Sequence, residues 1–198
     1  IKFSEVDYVS NAFQHFLSQL RGYFGLLNGR DLTDTELEKF IDKSLRDIDE
    51  LARVIALLHA TLRKEKSHPR FYPEKMNVEY FYSWERSFLS LLTKTINDAQ
   101  KFILDNPGYT FIGDITLPHD FILKNFEKIR RYYAHAGEKT RIHGDMHLGQ
   151  VLVVGKSFVL IDFEGEPMRD IDERITKQSP LKDVATLLRS LNYTSLRA

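Results

Sequence analysis

Apolar residues recur at helical spacing over most of the first 140 positions. Val6, Val9, Phe13, Phe16, Leu17 and Leu20 follow the 3.6-residue period, and Gly22 and Gly25 then interrupt it. A second stripe runs Leu37, Phe40, Ile41, Leu45, Ile48, Leu51, Ala52, Ile55, Leu58 and Leu62. Thr33 and Glu36 precede it in the spacing of a capping box, in which each side chain satisfies the other's backbone N–H. Arg63-Lys64-Glu65-Lys66 closes this helix, with cations at the negative end of its dipole. Pro69 and Pro73 mark a loop, and the spacing predicts a third helix over about 78–104, carrying Tyr80, Phe81, Trp84, Phe88, Leu91, Leu92 and Ile96. Its aromatic stripe reads as core. Pro107-Gly108 and Pro118 punctuate the next connection, and a fourth helix is expected from about Asp120 to His135.

The texture changes at Thr140. Two β-rich runs, Gln150 to Val154 and Phe158 to Ile161, flank Gly155-Lys156, where glycine supplies the positive φ of a two-residue hairpin turn. A last helix is expected from Ser179-Pro180, with Ser as cap, Pro at the first helical position and an apolar stripe Leu181, Val184, Leu187, Leu188, Leu191. No repeat, linker or low-complexity tract divides the chain, so residues 1–198 read as one mainly helical α+β domain.

Composition narrows the function classes. The chain has 28 basic and 28 acidic residues, which argues against a surface built for nucleic acid or anionic membrane. It has no cysteine, which removes disulfides, thiolate metal sites and a thiol nucleophile. No apolar run approaches the roughly 20 residues of a membrane helix. These features fit a soluble cytoplasmic enzyme.

The polar residues that can do chemistry concentrate in Arg141-Ile-His143-Gly144-Asp145-Met146-His147-Leu148-Gly149-Gln150, followed by Asp162-Phe163-Glu164-Gly165. A hairpin between these segments should set Gln150 beside Asp162. An amide oxygen and a carboxylate are hard ligands that suit Mg²⁺. Asp145, on the loop entering the hairpin, can face the same space without ligating the ion. Phosphoryl transfer needs this layout: metal on the phosphates, and a separate carboxylate to take the proton of an attacking hydroxyl. Three other motifs fail. Gly155-Lys156-Ser157 lacks the first glycine and the following helix of a P-loop. Asp145-Met146-His147 lacks the later block of a dinuclear phosphatase. His143 and His147 lack the Glu and the helix of a zinc peptidase.

His143-x-Asp145-x-x-x-x-Gln150 with Asp162-Phe163-x-Gly165 resembles the catalytic and metal loops of protein-kinase-like phosphotransferases. The His-Gly-Asp-x-His form is similar to the aminoglycoside and choline kinase branch. Residues 141–193, including Leu160-Ile-Asp-Phe-Glu-Gly-Glu-Pro and Ser179-Pro-Leu-Lys-Asp-Val-Ala, closely resemble the maltokinases. The Leu51 to Leu62 stretch, with His59, looks like a Leu-His-containing helix of the family's C-terminal lobe; read alone, His59 is a core histidine.

The resemblance implies phosphorylation of maltose at its anomeric hydroxyl, with ATP and Mg²⁺, in α-glucan metabolism. It implies Asp145 as catalytic base and Gln150 and Asp162 as metal ligands. Where Gln150 stands the wider family has Asn, and Gln is the usual maltokinase choice. Glu164 is a candidate metal-proximal group, His147 and Arg189 are candidate sugar contacts, and His143 is a structural member of the loop. Arg189 reads equally well as a helix-surface ion pair.

The resemblance also implies a small β-rich lobe clamping the nucleotide. No glycine-rich strand pair followed by a phosphate-gripping lysine is legible here. The chain therefore reads as most of a C-terminal lobe, a fragment of a longer protein that is inactive alone, with a trehalose synthase as fused or separate partner. Two alternatives stay open: a kinase for another small hydroxyl acceptor, such as an aminoglycoside, and a non-catalytic module that docks to the synthase.

Overall fold

The hairpin organises one end of the fold. In the computed structural model, which describes residues 8–27, 33–65, 68–108 and 119–198 apart from the side chains of Phe40, His119 and Asp120, strands β4 (Val151–Val154) and β5 (Ser157–Leu160) pair antiparallel with Val151 opposite Leu160 and Val154 opposite Ser157. Gly155 turns the chain with φ 61°. Ile161 N–H donates to Gln150 O at 3.0 Å, extending the ladder to the residue before β4. Val6, Lys66 and Pro118, used above as helix and loop markers, lie outside the described residues.

The described chain forms two compact units, Ile1–Glu74 with Lys139–Ala198, and Lys75–Glu138. In the first, a short strand β1 (Ser10–Asn11) that the apolar pattern did not suggest pairs antiparallel with β4, giving the order β1-β4-β5. Helix α1 (Ala12–Leu27) starts later than the pattern implied, because Asn11 Oδ1 accepts the Gln14 N–H at 2.9 Å and caps it. It also runs through Gly22 and Gly25 instead of breaking there. One or two mid-helix glycines cost only about 1 kcal/mol each, which tertiary packing overrides.

Helix α2 (Asp34–Lys64) begins with the predicted Thr33–Glu36 capping box. Only the later part of its stripe is buried: Leu51 and Ile55 are in the core, whereas Ile41, Leu45 and Ile48 are exposed. At 31 residues it is roughly 46 Å long, far more than four-residue strands can cover. The core joins Ala12 and Phe16 of α1, Leu51 and Ile55 of α2, Met146 and Leu148, Val151 and Val153 of β4, Phe158 of β5, and Leu187. Ser157 Oγ donates to the Glu50 carboxylate, tying β5 to α2.

A short ribbon pairs β2 (Glu74–Lys75) with β3 (Glu138–Lys139), and a one-turn helix α5 (Ile171–Arg174) follows the hairpin. Helix α6 (Leu181–Arg197) starts one residue later than expected, with Pro180 at the cap position and Ser179 Oγ accepting the Leu181 N–H at 3.3 Å. Its buried face is Asp183, Leu187 and Thr194, while Leu181, Val184 and Leu188 are exposed. The helix is turned so that the Asp183 carboxylate enters the interior alongside Leu187.

The second unit holds α3 (Val78–Asp105) and α4 (His119–Arg130). Helix α4 is shorter than predicted, because Tyr133–His135 forms a separate 3₁₀ turn. The α3 aromatic stripe, expected as core, is covered only in part: half-buried Phe81 stacks on Tyr133 with centroids 4.1 Å apart, whereas Trp84 and Phe88 meet Phe126 edge-on yet stay 48% and 38% exposed. Glu85 is buried beneath it, paired with Arg130 at 2.8 Å and accepting the Tyr133 hydroxyl. Among the described residues no helix is long and apolar enough to cross a membrane.

Candidate functional site

The loop from Ile142 to Gln150 is held by apolar anchors and by one buried carboxylate. Ile142, Met146 and Leu148 are buried, and over 145–148 the buried Met146 and Leu148 alternate with the partly exposed Asp145 and His147. Asp183 of α6 reaches under the loop. Its Oδ2 accepts the His143 N–H at 2.9 Å, and its Oδ1 accepts the Gly144 N–H at 3.0 Å. The same Oδ2 lies 2.9 Å from His59 Nε2 of α2. Burial alone would raise the Asp183 carboxyl. The bonds from His59 and the two amides outweigh it and hold the group below the ordinary carboxylate range.

His143 ties this loop to the hairpin. Its Nδ1 accepts the Asp145 N–H at 3.3 Å, so the ring proton belongs on Nε2, which donates to Ile161 O at 2.8 Å. The ring also lies 4.9 Å, centroid to centroid, from Phe163. One imidazole thus connects the backbone at Asp145 with the residue preceding Asp162. Leu148 N–H is taken by Ser190 Oγ of α6 at 3.1 Å.

Two glycines let the loops cross closely. Gly144 has φ 90° and a Cβ there would lie 3.3 Å from Gly165 Cα. Gly165 has φ 78° and its Cβ would meet Arg174 Cβ at 3.2 Å. Between them Asp162 takes φ 62°, the one non-glycine residue with positive φ among those described. Asp is among the few side chains that tolerate this region.

The structure brings Gln150 and Asp162 together. Gln150 Nε2 donates to Asp162 Oδ2 at 2.7 Å. With the amide nitrogen turned to the carboxylate, the amide oxygen and the second carboxylate oxygen remain to face a cation. Among the described residues no group of three or more His, Cys, Asp or Glu forms a ready-made metal cage. Two oxygen donors nevertheless fit Mg²⁺, which keeps several waters and takes substrate phosphates as further ligands.

Asp145 is partly exposed, with Oδ2 3.8 Å from His147 Nε2. His147 caps the 3₁₀ turn Leu148–Gln150, and its Nδ1 accepts the Gly149 N–H at 3.0 Å. Its remaining ring nitrogen therefore carries a proton and faces Asp145. A Cβ on Gly149 would come within 2.8 Å of that ring. Glu164 is exposed, two residues beyond Asp162. Arg189 lies along its own helix, 3.3 Å from the Tyr193 hydroxyl and over that ring at 5.5 Å. These contacts do not place it with the loop.

Sequence reading missed Asp183 and Lys182. Both stand in the Ser179-Pro-Leu-Lys-Asp-Val-Ala string that carries part of the resemblance. An acidic residue in the first turn of a helix is, however, ordinarily taken for a dipole partner, so Asp183 gains no role of its own from the sequence. Lys182 is held below the usual lysine range by burial and by the like charge of Arg169, against the pull of Glu166, Asp183 and Asp145. It therefore stands within electrostatic reach of Asp145.

The chain's whole-length likeness is to solved kinases. It superposes on a glucosamine kinase (crystal form B) with TM-score 0.57 at 16% identity, over 96% of this chain and 39% of that one. A glucosamine kinase in complex with glucosamine, ADP and inorganic phosphate matches with TM-score 0.56 at 19% identity, over 93% of this chain and 40% of that one. The fold is similar to part of a glucosamine kinase.

Local sequence agrees. The chain is 38% identical over 56 residues to a glucosamine kinase of Mycolicibacterium smegmatis (strain ATCC 700084 / mc(2)155), 28% of this chain and 14% of that protein. It is 35% identical over 52 residues to one of Streptacidiphilus jiangxiensis, 26% of this chain and 12% of that protein. This chain thus spans about 40% of the solved kinases, and the matched stretches are a smaller part of the curated ones. No family model matches.

Proposed function

We propose that this chain is the catalytic portion of an ATP-dependent sugar phosphotransferase. The observation that carries the reading is the pairing of Gln150 with Asp162 beside a loop, locked by Asp183 and His143, that presents Asp145. Gln150 and Asp162 would hold Mg²⁺, which when bound neutralises charge on the transferring phosphates. Asp145 orients the acceptor hydroxyl and takes its proton. His147, its protonated nitrogen facing Asp145, keeps that carboxylate turned outward and can also meet a sugar hydroxyl. Glu164 would bind a water on the metal. Arg189 would contact sugar only after leaving Tyr193.

The motif string over residues 141–193 favours maltose as acceptor, giving maltose 1-phosphate, and with it a trehalose synthase as fused or separate partner. The local identity and the fold favour a second acceptor, glucosamine. Phosphate transfer from ATP by the full-length protein, assayed over maltose, glucosamine, glucose and an aminoglycoside, decides between them. Asp145→Asn is expected to lower turnover by about 10²–10⁴-fold without unfolding the protein. Wild-type-like turnover in that variant would overturn the assignment, as would absence of transfer to every sugar by a folded, full-length wild type. The chain by itself is expected to bind ATP weakly, because no phosphate-gripping lysine on a glycine-rich strand pair is legible in it; micromolar affinity by calorimetry contradicts that expectation.

A further inference from the structure

A separate pocket of about 400 Å³ opens beside the end of β3, lined in part by Arg70, Glu74, Lys139, Asp172 and Lys177. None of its lining residues belongs to the catalytic loop or the hairpin. Its charges come from three segments distant in sequence: the stretch from Arg70 to Glu74 of β2, Lys139 of β3, and the stretch around α5. Glu74 is the hub. Its Oε1 lies 2.5 Å from Lys177 Nζ and its Oε2 2.9 Å from Lys139 Nζ. Lys177 Nζ also donates to Pro69 O at 2.9 Å, and its side chain is 12% exposed. Both ammonium groups are thereby fixed at the pocket wall.

Outside the lining, Arg141 NH1 donates to Arg174 O at 3.0 Å. Burial pushes its guanidinium down from the usual range, and the like charge of Arg70 adds to the effect. Three cations of the lining (Arg70, Lys139 and Lys177) thus meet two carboxylates, Glu74 and Asp172. That is a local excess of positive charge in a chain of zero formal net charge. Gathering it from remote segments costs Coulomb repulsion that a bound anion would relieve.

We propose that this pocket binds a phosphate dianion, free or carried on a small ester such as a sugar phosphate. Arg70 supplies a planar fork for two phosphate oxygens, and Lys139 and Lys177 add point charges. The volume falls within the range that small-molecule sites occupy, leaving room for an esterified carbon skeleton beside the phosphate.

The test is a binding titration followed by amide NMR, which does not depend on phosphotransfer. Inorganic phosphate, glucose 6-phosphate and uncharged glucose are added at constant ionic strength. The expected result is shifts confined to residues 69–74, 139–141 and 172–177 with both phosphates and none with glucose. Tighter binding of glucose 6-phosphate identifies an ester as the occupant, and equal binding identifies free phosphate. Arg70→Gln is expected to weaken binding about tenfold, and Arg70→Lys by less, because the charge survives and the fork does not. Arg70 is exposed, so both variants keep the wild-type melting curve. The proposal is overturned by the absence of shifts in these segments at millimolar ligand, by shifts scattered over surface lysines, or by unchanged affinity in Arg70→Gln. Because the readout is binding at this pocket, it can fail while the kinase reading stands, and the reverse.

Discussion

Replacing Asp183 should loosen the loop that carries Asp145 more than any change at Asp145 itself. In the wild type one buried carboxylate accepts three donors: His143 N–H, Gly144 N–H and His59 Nε2. Asp183→Ala strands all three, and a buried donor without a partner costs about 1–3 kcal/mol. Relaxation and water entry reduce the sum, so the expected loss is about 3–5 kcal/mol. A chain of this size loses roughly 2–4 °C of Tm per kcal/mol, so melting should fall by about 6–20 °C. Asp183→Asn is the sharper probe. Whichever way its amide turns, an N–H faces a backbone N–H, so one bond is lost and the expected cost is about 1–3 kcal/mol.

Urea titration and thermal circular dichroism measure these losses, and hydrogen exchange at the His143 and Gly144 amides locates them. The pH dependence supplies a second readout. The folded carboxyl is held below its ordinary value, so its contribution is fully present above the unfolded value of about 3.9 and disappears as pH falls through the folded value. The deficit of Asp183→Asn should therefore stay constant from about pH 8 to pH 5 and shrink below about pH 4. An Asp183→Ala protein within about 0.5 kcal/mol of wild type, with unchanged exchange at Gly144, would refute the anchor.

Gly165→Ala is expected to destabilise by about 1–3 kcal/mol, because φ 78° and a 3.2 Å approach to Arg174 Cβ both oppose a side chain. Gly22→Ala in α1, with nothing within 4 Å of the new Cβ, should stabilise by about 0.5–1 kcal/mol; denaturant midpoints check both signs. Glu85→Gln should cost about 2–3 kcal/mol in the same assay, since it weakens the contacts to Arg130 and Tyr133 around a buried carboxylate. Asp162→Asn should preserve the fold, because Asn also accepts φ 62°, yet weaken Mg²⁺-nucleotide binding by the full-length protein about tenfold or more; unchanged affinity by calorimetry counts against Asp162 as a ligand.

Local pattern alone determined the parts of this protein whose cause is local. The Thr33–Glu36 capping box and the Gly155-Lys156 turn each depend on residues within a few positions of one another. The hairpin carried this furthest: a two-residue turn with fixed register places Gln150 beside Asp162 from twelve residues away. Tertiary structure decided the rest, because the deciding partners are remote. His59 and Asp183 meet across 124 positions, and no periodicity on α6 reveals that its interior face carries a carboxylate. The short strand β1 exists only because β4 offers an edge, and Glu85 is buried only because Arg130 and Tyr133 come to it. The same holds at the pocket around Glu74, whose cations Arg70, Lys139 and Lys177 stand far apart in the sequence. Only the fold sets them around one space, where their combined charge has chemical meaning.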